Sequence, residues 1–127
     1  MPFVRVGYLE NQYTEKDLPI ISQCIMSALR DHFSVPENDF FQVFHAHGQS
    51  EFYYSPDYLN IARTDRLLYI QITCGSGRSR DQKRAFYKNL SVLLSIQCNI
   101  QEEDVFVVLL ETEVEDWTFG NGIAQMI

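Results

Sequence analysis

Two similar segments lie 65 residues apart in this chain, and this repeat constrains the fold more than any other feature. A shift of 65 residues places Thr14 on Ser79 and the segment VPENDFFQVF on IQEEDVFVVL. The apolar positions of two helix patterns coincide as well: Ile21 with Phe86, Ile25 with Leu90, and Leu29 with Leu94. A repeat of this kind indicates two copies of one supersecondary unit.

Each copy contains a helix pattern between two strand patterns. The first helix pattern begins at Thr14, a good N-cap residue, and its apolar positions follow the 3.6-residue period of a helix. The second begins at Ser79, which forms a capping-box pattern with Gln82. The strand patterns are PFVRVGYL and FFQVFHAH around the first helix, and LLYIQITC and VFVVLLET around the second. The sequence therefore predicts two β-α-β units in tandem.

These units predict an α+β fold with two layers, in which a four-stranded mixed sheet carries two helices on one face. We expect a single domain with a first unit over about 2–47, a connector over 48–66, a second unit over about 67–112 and a tail over 113–127. The run FVVLL is apolar at every position, as in a strand covered on both faces. Since two helices cover one face only, we expect a second copy of the chain on the other.

Composition excludes several classes of function. The net charge is −7 and there is no basic stripe, which argues against a nucleic-acid partner. No apolar run approaches the roughly 18 residues of a membrane span, and the first residues lack a secretory signal pattern. We therefore expect a cytoplasmic protein without a membrane partner. The three cysteines form no C-x-x-C pair, so neither a disulfide framework nor a zinc site is indicated.

No metal or cofactor is predicted. His45 and His47 point the same way on a predicted strand, as two metal ligands would, but no third ligand of suitable spacing accompanies them. The sequence also lacks a P-loop, a dinucleotide-binding fingerprint and a nucleophile elbow.

Pro2 is the first of three features that could carry chemistry. Proline is tolerated at the first position of a strand because it has no N–H to give to the sheet, and this is the structural explanation. If Met1 is removed, however, Pro2 carries a free secondary amine that its own ring and the following strand hold in place. Such an amine can accept a proton.

The other two features are a loop and the tail. In GSGRSRDQK a glycine-rich turn enters a capped helix, and its free N–H groups together with Arg78 favour an anion. The alternative is an ordinary turn with a solvated arginine. In the tail DWTFGNGIAQMI, Trp117 and Phe119 alternate on an extended segment. They either fill a core edge or subunit contact, or form an apolar wall that excludes water from a pocket.

Several of these stretches together resemble the tautomerase superfamily, and in particular the branch that contains malonate semialdehyde decarboxylase. They run nearly from end to end: M-P-F-V-R, VPENDFFQV, His47, Q-I-T, GRSRDQK, EDVFV and W-T-F-G-N-G-I-A-Q. The resemblance implies a fold of β-α-β units, assembly as a homotrimer, and an amino-terminal proline that acts as catalytic base.

The resemblance also implies roles for particular residues. Pro2 matches the base, Arg78 matches the ligand of the substrate carboxylate, and Trp117 and Phe119 match the apolar wall of the pocket. The acidic residue of that branch falls at or near Asn38, with Asp39 beside it.

One difference from the branch concerns the loop. The decarboxylase pattern R-x-R is replaced here by Ser76-Gly77-Arg78, so one of the two arginines is lost. This loss weakens the case for decarboxylation, whereas proton transfer needs only a base and one carboxylate anchor.

We therefore expect a cofactor-independent keto–enol tautomerase, an isomerase that acts on a small enol or α-keto carboxylate. Burial beside apolar walls and a nearby guanidinium both disfavour the charged form of the Pro2 amine and lower its pKa. One alternative is a decarboxylase or hydratase of a 3-oxo acid such as malonate semialdehyde, with Pro2 acting as a cation. Another is a binding or signalling module that keeps the fold without turnover.

Overall fold

The computed structural model describes residues 1–127 and contains two β-α-β units in sequence. The elements are β1 (Phe3–Leu9), α1 (Asp17–Phe33), β2 (Gln42–His47), β3 (Leu68–Gly75), α2 (Arg80–Cys98) and β4 (Val105–Thr112). Short 3₁₀ turns occupy parts of the connections. Neither α1 nor α2 has the length and hydropathy of a membrane-spanning helix. The predicted tandem arrangement is confirmed.

The four strands form one mixed sheet in the order β2-β1-β3-β4. Within each unit the two strands are parallel, so β1 pairs with β2 and β3 pairs with β4. The two units join through β1 and β3, which run antiparallel with Phe3 opposite Thr73 and Gly7 opposite Tyr69. The predicted α+β fold with a four-stranded mixed sheet is therefore confirmed.

Both helices pack on the same face of this sheet. Alternate side chains of the two central strands are buried beneath them: Val4, Val6 and Tyr8 of β1, and Leu68, Ile70 and Ile72 of β3. The helices also contact each other, since the ring of Phe33 at the end of α1 stacks on Phe86 of α2 with 4.6 Å between ring centres. Each fully buried side chain of this kind contributes roughly 1.5–3 kcal/mol of transfer free energy, which holds the layers together.

The two units also end their helices in the same way. Ser34 and Asn99 follow α1 and α2, and each adopts a left-handed conformation with φ of 54°. The next residues, Val35 and Ile100, are buried, and their N–H groups donate to the carbonyls of Leu29 and Leu94. A left-handed residue that closes a helix is a common C-terminal motif. The repeat is therefore present in the backbone as well as in the sequence.

Equivalent aspartates follow the helices. The N–H of Asp39 donates to the carbonyl of Pro36, and that of Asp104 donates to Gln101, each at 3.0 Å. The carboxylate of Asp104 is 1% exposed and accepts hydrogen bonds from the N–H of Thr64 at 2.8 Å and from its hydroxyl at 2.5 Å. Because Thr64 lies shortly before β3, Asp104 fixes the chain where it enters the second unit.

The predicted helix starts are right for one helix and wrong for the other. Ser79 caps α2, because its hydroxyl accepts from the N–H of Gln82 at 3.1 Å and its own N–H donates to the Gln82 side chain at 2.9 Å. Thr14, in contrast, does not cap α1, which begins at Asp17. Thr14 and Asp17 bond to each other instead, with the Thr14 N–H donating to the Asp17 carboxylate at 2.8 Å, and they close a turn before the helix.

The sheet face opposite the helices, here called the open face, is largely apolar and exposed. Between 42% and 49% of each of these side chains is exposed: Phe41, Val43, Phe106, Val108 and Leu110. The run FVVLL is thus covered only on the helix side, where Val107 and Leu109 pack against the core. We expected this strand to be covered on both faces, but within the single chain its second face is uncovered.

The connector covers one end of the open face. Phe52 is buried against Leu9 and Leu67, and Tyr54 and Tyr69 pack on this small cluster. Phe52 and Tyr54 therefore attach the connector to the sheet. Two other aromatic residues of the connector, Tyr53 and Tyr58, are 75% and 65% exposed.

The role of Asp104 predicts a stability effect. Asp104→Ala should lower the free energy of unfolding by roughly 1–3 kcal/mol, because it removes two hydrogen bonds to a buried carboxylate. The neighbouring Glu103 is exposed, so Glu103→Ala should change it by less than about 0.5 kcal/mol. Urea unfolding of both variants at one protein concentration measures the difference. Equal effects of the two substitutions would contradict the role of Asp104.

Candidate active site

The candidate site lies at the end of the sheet where β1 begins and β3 ends. Because these strands are antiparallel and Phe3 pairs with Thr73, the first residues of the chain lie beside the loop that follows β3. Pro2 is buried at this point, one residue before β1. The loop contains Arg78, so the pairing brings two of the predicted site residues to the same end of the sheet.

The amino terminus makes a charged contact there. The Met1 ammonium lies 2.7 Å from Oδ2 of Asp39, and the exposed fractions of the two side chains are only 13% and 18%. The Met1 side chain reaches β3, where its Cε atom lies 2.9 Å from the place that a Cβ on Gly75 would occupy. Asn38 and Asp39 are the two positions at which the acidic residue of the branch could fall. Asp39 contacts the Met1 ammonium, whereas Asn38 is exposed. The amino end is thus held in a partly buried, charged environment.

Arg78 is ordered by backbone carbonyls. Its Nη1 donates to the carbonyl of Gly75 at 2.8 Å and its Nη2 donates to that of Phe33 at 3.1 Å. The guanidinium carbon also lies 5.1 Å from the centre of the Phe33 ring. The guanidinium is thus held by two elements, although the residue stays partly exposed. Since a guanidinium has five N–H donors, three remain for another ligand.

The other loop position of the R-x-R pattern is occupied differently. The N–H of Ser76 donates to the carbonyl of Thr112, and its hydroxyl donates to Glu113 at 3.1 Å. Gly77 adopts φ of 112°, a conformation that residues other than glycine rarely adopt. Ser76 therefore supplies no cation and is turned towards the residues after β4.

Trp117 and Phe119 lie together next to this loop. Their rings stack with centres 5.5 Å apart and an angle of 11° between the planes. The indole N–H of Trp117 donates to the hydroxyl of Thr112 at 2.6 Å, and Thr112 pairs with Gly75 at the end of β3. Phe119 lies 5.9 Å from Phe41, measured between ring centres. The tail thus places an aromatic wall beside the beginning of β1 and β2.

This wall borders a cavity of about 470 Å³ on the open face. Its lining is mostly apolar: Phe3, Phe40, Phe41, Val43, Trp117 and Phe119, together with Gln42 and Thr118. Phe3, Phe40 and Phe41 were not predicted as site residues. Two features of the sequence could have identified them: Phe40 and Phe41 come directly after Asp39, and Phe3 comes directly after Pro2. Arg78 is not part of this lining and bonds to the end of α1 instead.

Three further reactive side chains, Cys74, His45 and His47, are not part of the cavity lining. Cys74 at the end of β3 is 2% exposed, and burial raises the pKa of its thiol although Arg78 opposes the shift. His45 and His47 lie side by side with 4.3 Å between ring centres, away from the amino end. No group of three or more His, Cys, Asp or Glu side chains is placed to hold a metal ion.

The arrangement suits proton transfer on a small anion. It combines a buried amino end, a carboxylate, an ordered guanidinium with free donors, and an aromatic cavity. Groups that are partly withdrawn from water interact more strongly than they would in solution. An ordered guanidinium is also well suited to bind a carboxylate through two parallel hydrogen bonds.

Comparisons with known proteins point to one enzyme family. Residues 39–120 match the family described as tautomerase enzyme. The chain is 40% identical over 127 residues to the probable tautomerase YusQ of Bacillus subtilis (strain 168), covering all of this chain and 99% of that one.

Solved structures share the fold. The crystal structure of malonate semialdehyde decarboxylase superposes with a TM-score of 0.91 at 28% identity, covering 98% of this chain and 95% of that one. A fused 4-OT that is described as a symmetric trimer superposes with a TM-score of 0.78 at 15% identity, covering 98% and 96%. The family match spans more than half of the sequence, and the identity to YusQ extends over all of it. The chain therefore belongs to the tautomerase superfamily, in the branch that includes malonate semialdehyde decarboxylase.

Proposed function

We propose that this protein is a cofactor-independent tautomerase in which Pro2, exposed by removal of Met1, is the general base for a small enol or α-keto carboxylate. The observation that carries the proposal is the contact of the amino end with Asp39, next to the loop of Arg78. In the structure this contact is made by the Met1 ammonium, and with Met1 removed the terminal amine beside this carboxylate is that of Pro2.

The proton transfer follows from this position. With Met1 removed, the terminal nitrogen belongs to Pro2, whose ring fixes its direction and whose neighbour Phe3 lines the aromatic cavity. A neutral amine takes the proton from the enol hydroxyl of the substrate and an ammonium returns one to the adjacent carbon. The keto form results, and the amine is regenerated without a cofactor.

Arg78 is the proposed anchor for the substrate carboxylate. Its bonds to the carbonyls of Gly75 and Phe33 fix the guanidinium before any ligand arrives, so little side-chain freedom is lost on binding. The aromatic wall of Trp117 and Phe119 then limits the access of water to the substrate. With less water in the site, the ion pair between Arg78 and the substrate carboxylate is stronger. The electrostatic interactions that assist the proton transfer are stronger as well.

A second candidate function is decarboxylation or hydration of a 3-oxo acid such as malonate semialdehyde. Two observations favour it: the similarity to malonate semialdehyde decarboxylase and the carboxylate of Asp39 at the amino end. A neighbouring carboxylate favours a protonated amine, which raises the pKa of the Pro2 amine, whereas Arg78 lowers it. A cationic Pro2 could stabilise the enolate that forms when the bond to carbon dioxide breaks.

Replacing Pro2 tests the base directly. In protein whose mass shows that Met1 is absent, Pro2→Ala should reduce the ketonisation of phenylenolpyruvate by roughly 10²–10⁴-fold, the usual contribution of a positioned acid–base group. The matched control is protein that retains Met1, whose first nitrogen is not that of Pro2 and which should be similarly impaired. Equal rates for the variant and the processed wild type would refute the role of Pro2. If processed wild type turned over neither this enol nor malonate semialdehyde, a binding module would be the better description.

Asp39 separates the two enzyme functions through pH dependence. Asp39→Asn removes a negative charge near the amine, so the pKa of Pro2 should fall by roughly one unit or more. For a tautomerase, whose rate rises as the amine loses its proton, the acidic limb of the profile of kcat/KM should move to lower pH. For a decarboxylase with a cationic proline, the basic limb should move to lower pH, and activity at neutral pH should fall.

The measurement is a pH profile with phenylenolpyruvate and another with malonate semialdehyde. Asn38→Ala is the control, because Asn38 is adjacent and exposed and its replacement leaves the charge unchanged. If the limbs of the Asp39→Asn profiles fell at the same pH as those of the wild type, Asp39 would not face the catalytic amine.

The proposal includes assembly as a homotrimer, supported by the exposed apolar residues of the open face. Light scattering should give about three times the chain mass of 14.8 kDa. Val108→Asp should dissociate the assembly, since it buries a charge in the contact, whereas Ile96→Asp should not, because Ile96 is 72% exposed on α2. A monomer at micromolar concentration would contradict this part of the proposal.

A further inference from the structure

A second cavity lies on the open face, further along the sheet than the aromatic cavity. It has a volume of about 310 Å³, and its floor is the backbone of β1 around Gly7. The polar side chains of its lining come from three strands: Arg5, His45, His47, Tyr69 and Gln71. None of these residues has a role in the proposed proton transfer.

The strand register brings these side chains together. Gln71 of β3 lies opposite Arg5, and His45 of β2 lies opposite Gly7, two residues further along β1. His47 stacks on His45 with 4.3 Å between ring centres, and its ring is also 6.2 Å from that of Phe52 in the connector. The two imidazoles are therefore packed side by side at the edge of the cavity.

Gly7 creates the space. A Cβ at this position would lie 3.1 Å from Nε2 and 3.4 Å from Cδ2 of His47, and 4.0 Å from the Cβ of Tyr69. The first distance is tighter than ordinary contact. Because glycine lacks that carbon, the nitrogen of His47 approaches the strand closely.

Apart from Tyr69, the polar side chains of this cavity have no hydrogen-bond partner within the chain. Arg5 forms no ion pair, and no hydrogen bond joins the side chain of Arg5, His45 or Gln71 to another group. The one nearby aromatic contact of Arg5 is with Phe3, at 5.9 Å from the ring centre. Tyr69 differs, because its hydroxyl already donates to the carbonyl of Tyr53. A guanidinium, an amide and two imidazoles thus offer N–H groups to one small space.

The charge of this face differs from that of the whole protein. The chain has 17 acidic and 10 basic residues. Yet none of the strand positions on the open face is Asp or Glu, and no carboxylate lines the cavity. An uncompensated guanidinium on an apolar face is costly once the face is covered, unless an anion accompanies it.

We infer that the cavity of Arg5, His45, His47 and Gln71 binds a small oxyanion of the phosphate class, at a site separate from the amino end and Arg78. The guanidinium can give two parallel N–H bonds to one anion, and each imidazole can give one more through a protonated nitrogen. This inference does not rest on the proposed proton transfer, because neither Pro2 nor Asp39 takes part.

The test is a titration of the full chain with inorganic phosphate, with sodium chloride of equal ionic strength as the reference. Binding is followed by the imidazole nitrogen signals of His45 and His47 in NMR and by calorimetry. Phosphate should produce a saturable change in these signals that chloride does not. A phosphomonoester in a third titration shows whether the site accepts a substituted phosphate or only the free ion.

Variants locate the site. Arg5→Gln should weaken phosphate binding roughly ten- to hundredfold, the loss expected for one or two charge-assisted hydrogen bonds. Gly7→Ala should weaken it as well, by displacing His47. Arg84→Gln is the matched control, since it removes the same charge from an exposed position on α2 that forms no ion pair. It should leave the affinity unchanged.

Binding at Arg78 is distinguished by Arg78→Ala, which should leave the phosphate response of His45 and His47 intact. Three results would overturn the inference: equal responses to phosphate and chloride, equal affinities of Arg5→Gln and Arg84→Gln, or a response that disappears in Arg78→Ala. The first of these is also the result expected if a carboxylate from a neighbouring copy of the chain occupies the cavity.

Discussion

The antiparallel pairing of β1 with β3 is the contact on which the rest of the structure depends. It is the only strand pairing between the two units, so it converts two β-α-β units into one sheet and places both helices on one face. In an antiparallel pair the start of one strand lies beside the end of the other. The same contact therefore places the amino end of the chain beside the loop after β3. The candidate active site is thus a consequence of how the units are joined.

The internal repeat then explains how one position acquires two roles. Asp39 and Asp104 occupy equivalent places after equivalent helix ends, and both accept a hydrogen bond from nitrogen near the beginning of their own unit. For Asp104 that nitrogen is the backbone amide of Thr64, a neutral structural partner. For Asp39 it is the terminal ammonium, a titratable group. The same local geometry therefore stabilises the fold in one unit and forms an ion pair in the other.

The open face combines two kinds of surface. Its apolar residues on β2 and β4 resemble a core without its second layer, which is why we propose that further copies of the chain cover it. Beside them on β2 lie His45 and His47, and between β2 and β4 lie Arg5 and Gln71; the N–H groups of these four side chains have no acceptor in the chain. Packing favours covering this face, whereas desolvation of the guanidinium opposes it. An anion in the cavity would remove that conflict.

The sequence by itself determined the helices, the strands and their succession along the chain, because hydrophobic periodicity and capping are properties of neighbouring residues. It also indicated the family, through Pro2 and the motif around Trp117. The start of α1 was misplaced, since the N–H and hydroxyl of Thr14 donate to the Asp17 carboxylate in a turn and the helix begins only at Asp17. Only the tertiary structure decided that Asp39 rather than Asn38 contacts the amino end, that carbonyls of two elements order Arg78, and that Arg5 and His45 share a cavity. Those contacts join residues far apart in the chain, and they depend on strand register, which local sequence patterns do not specify.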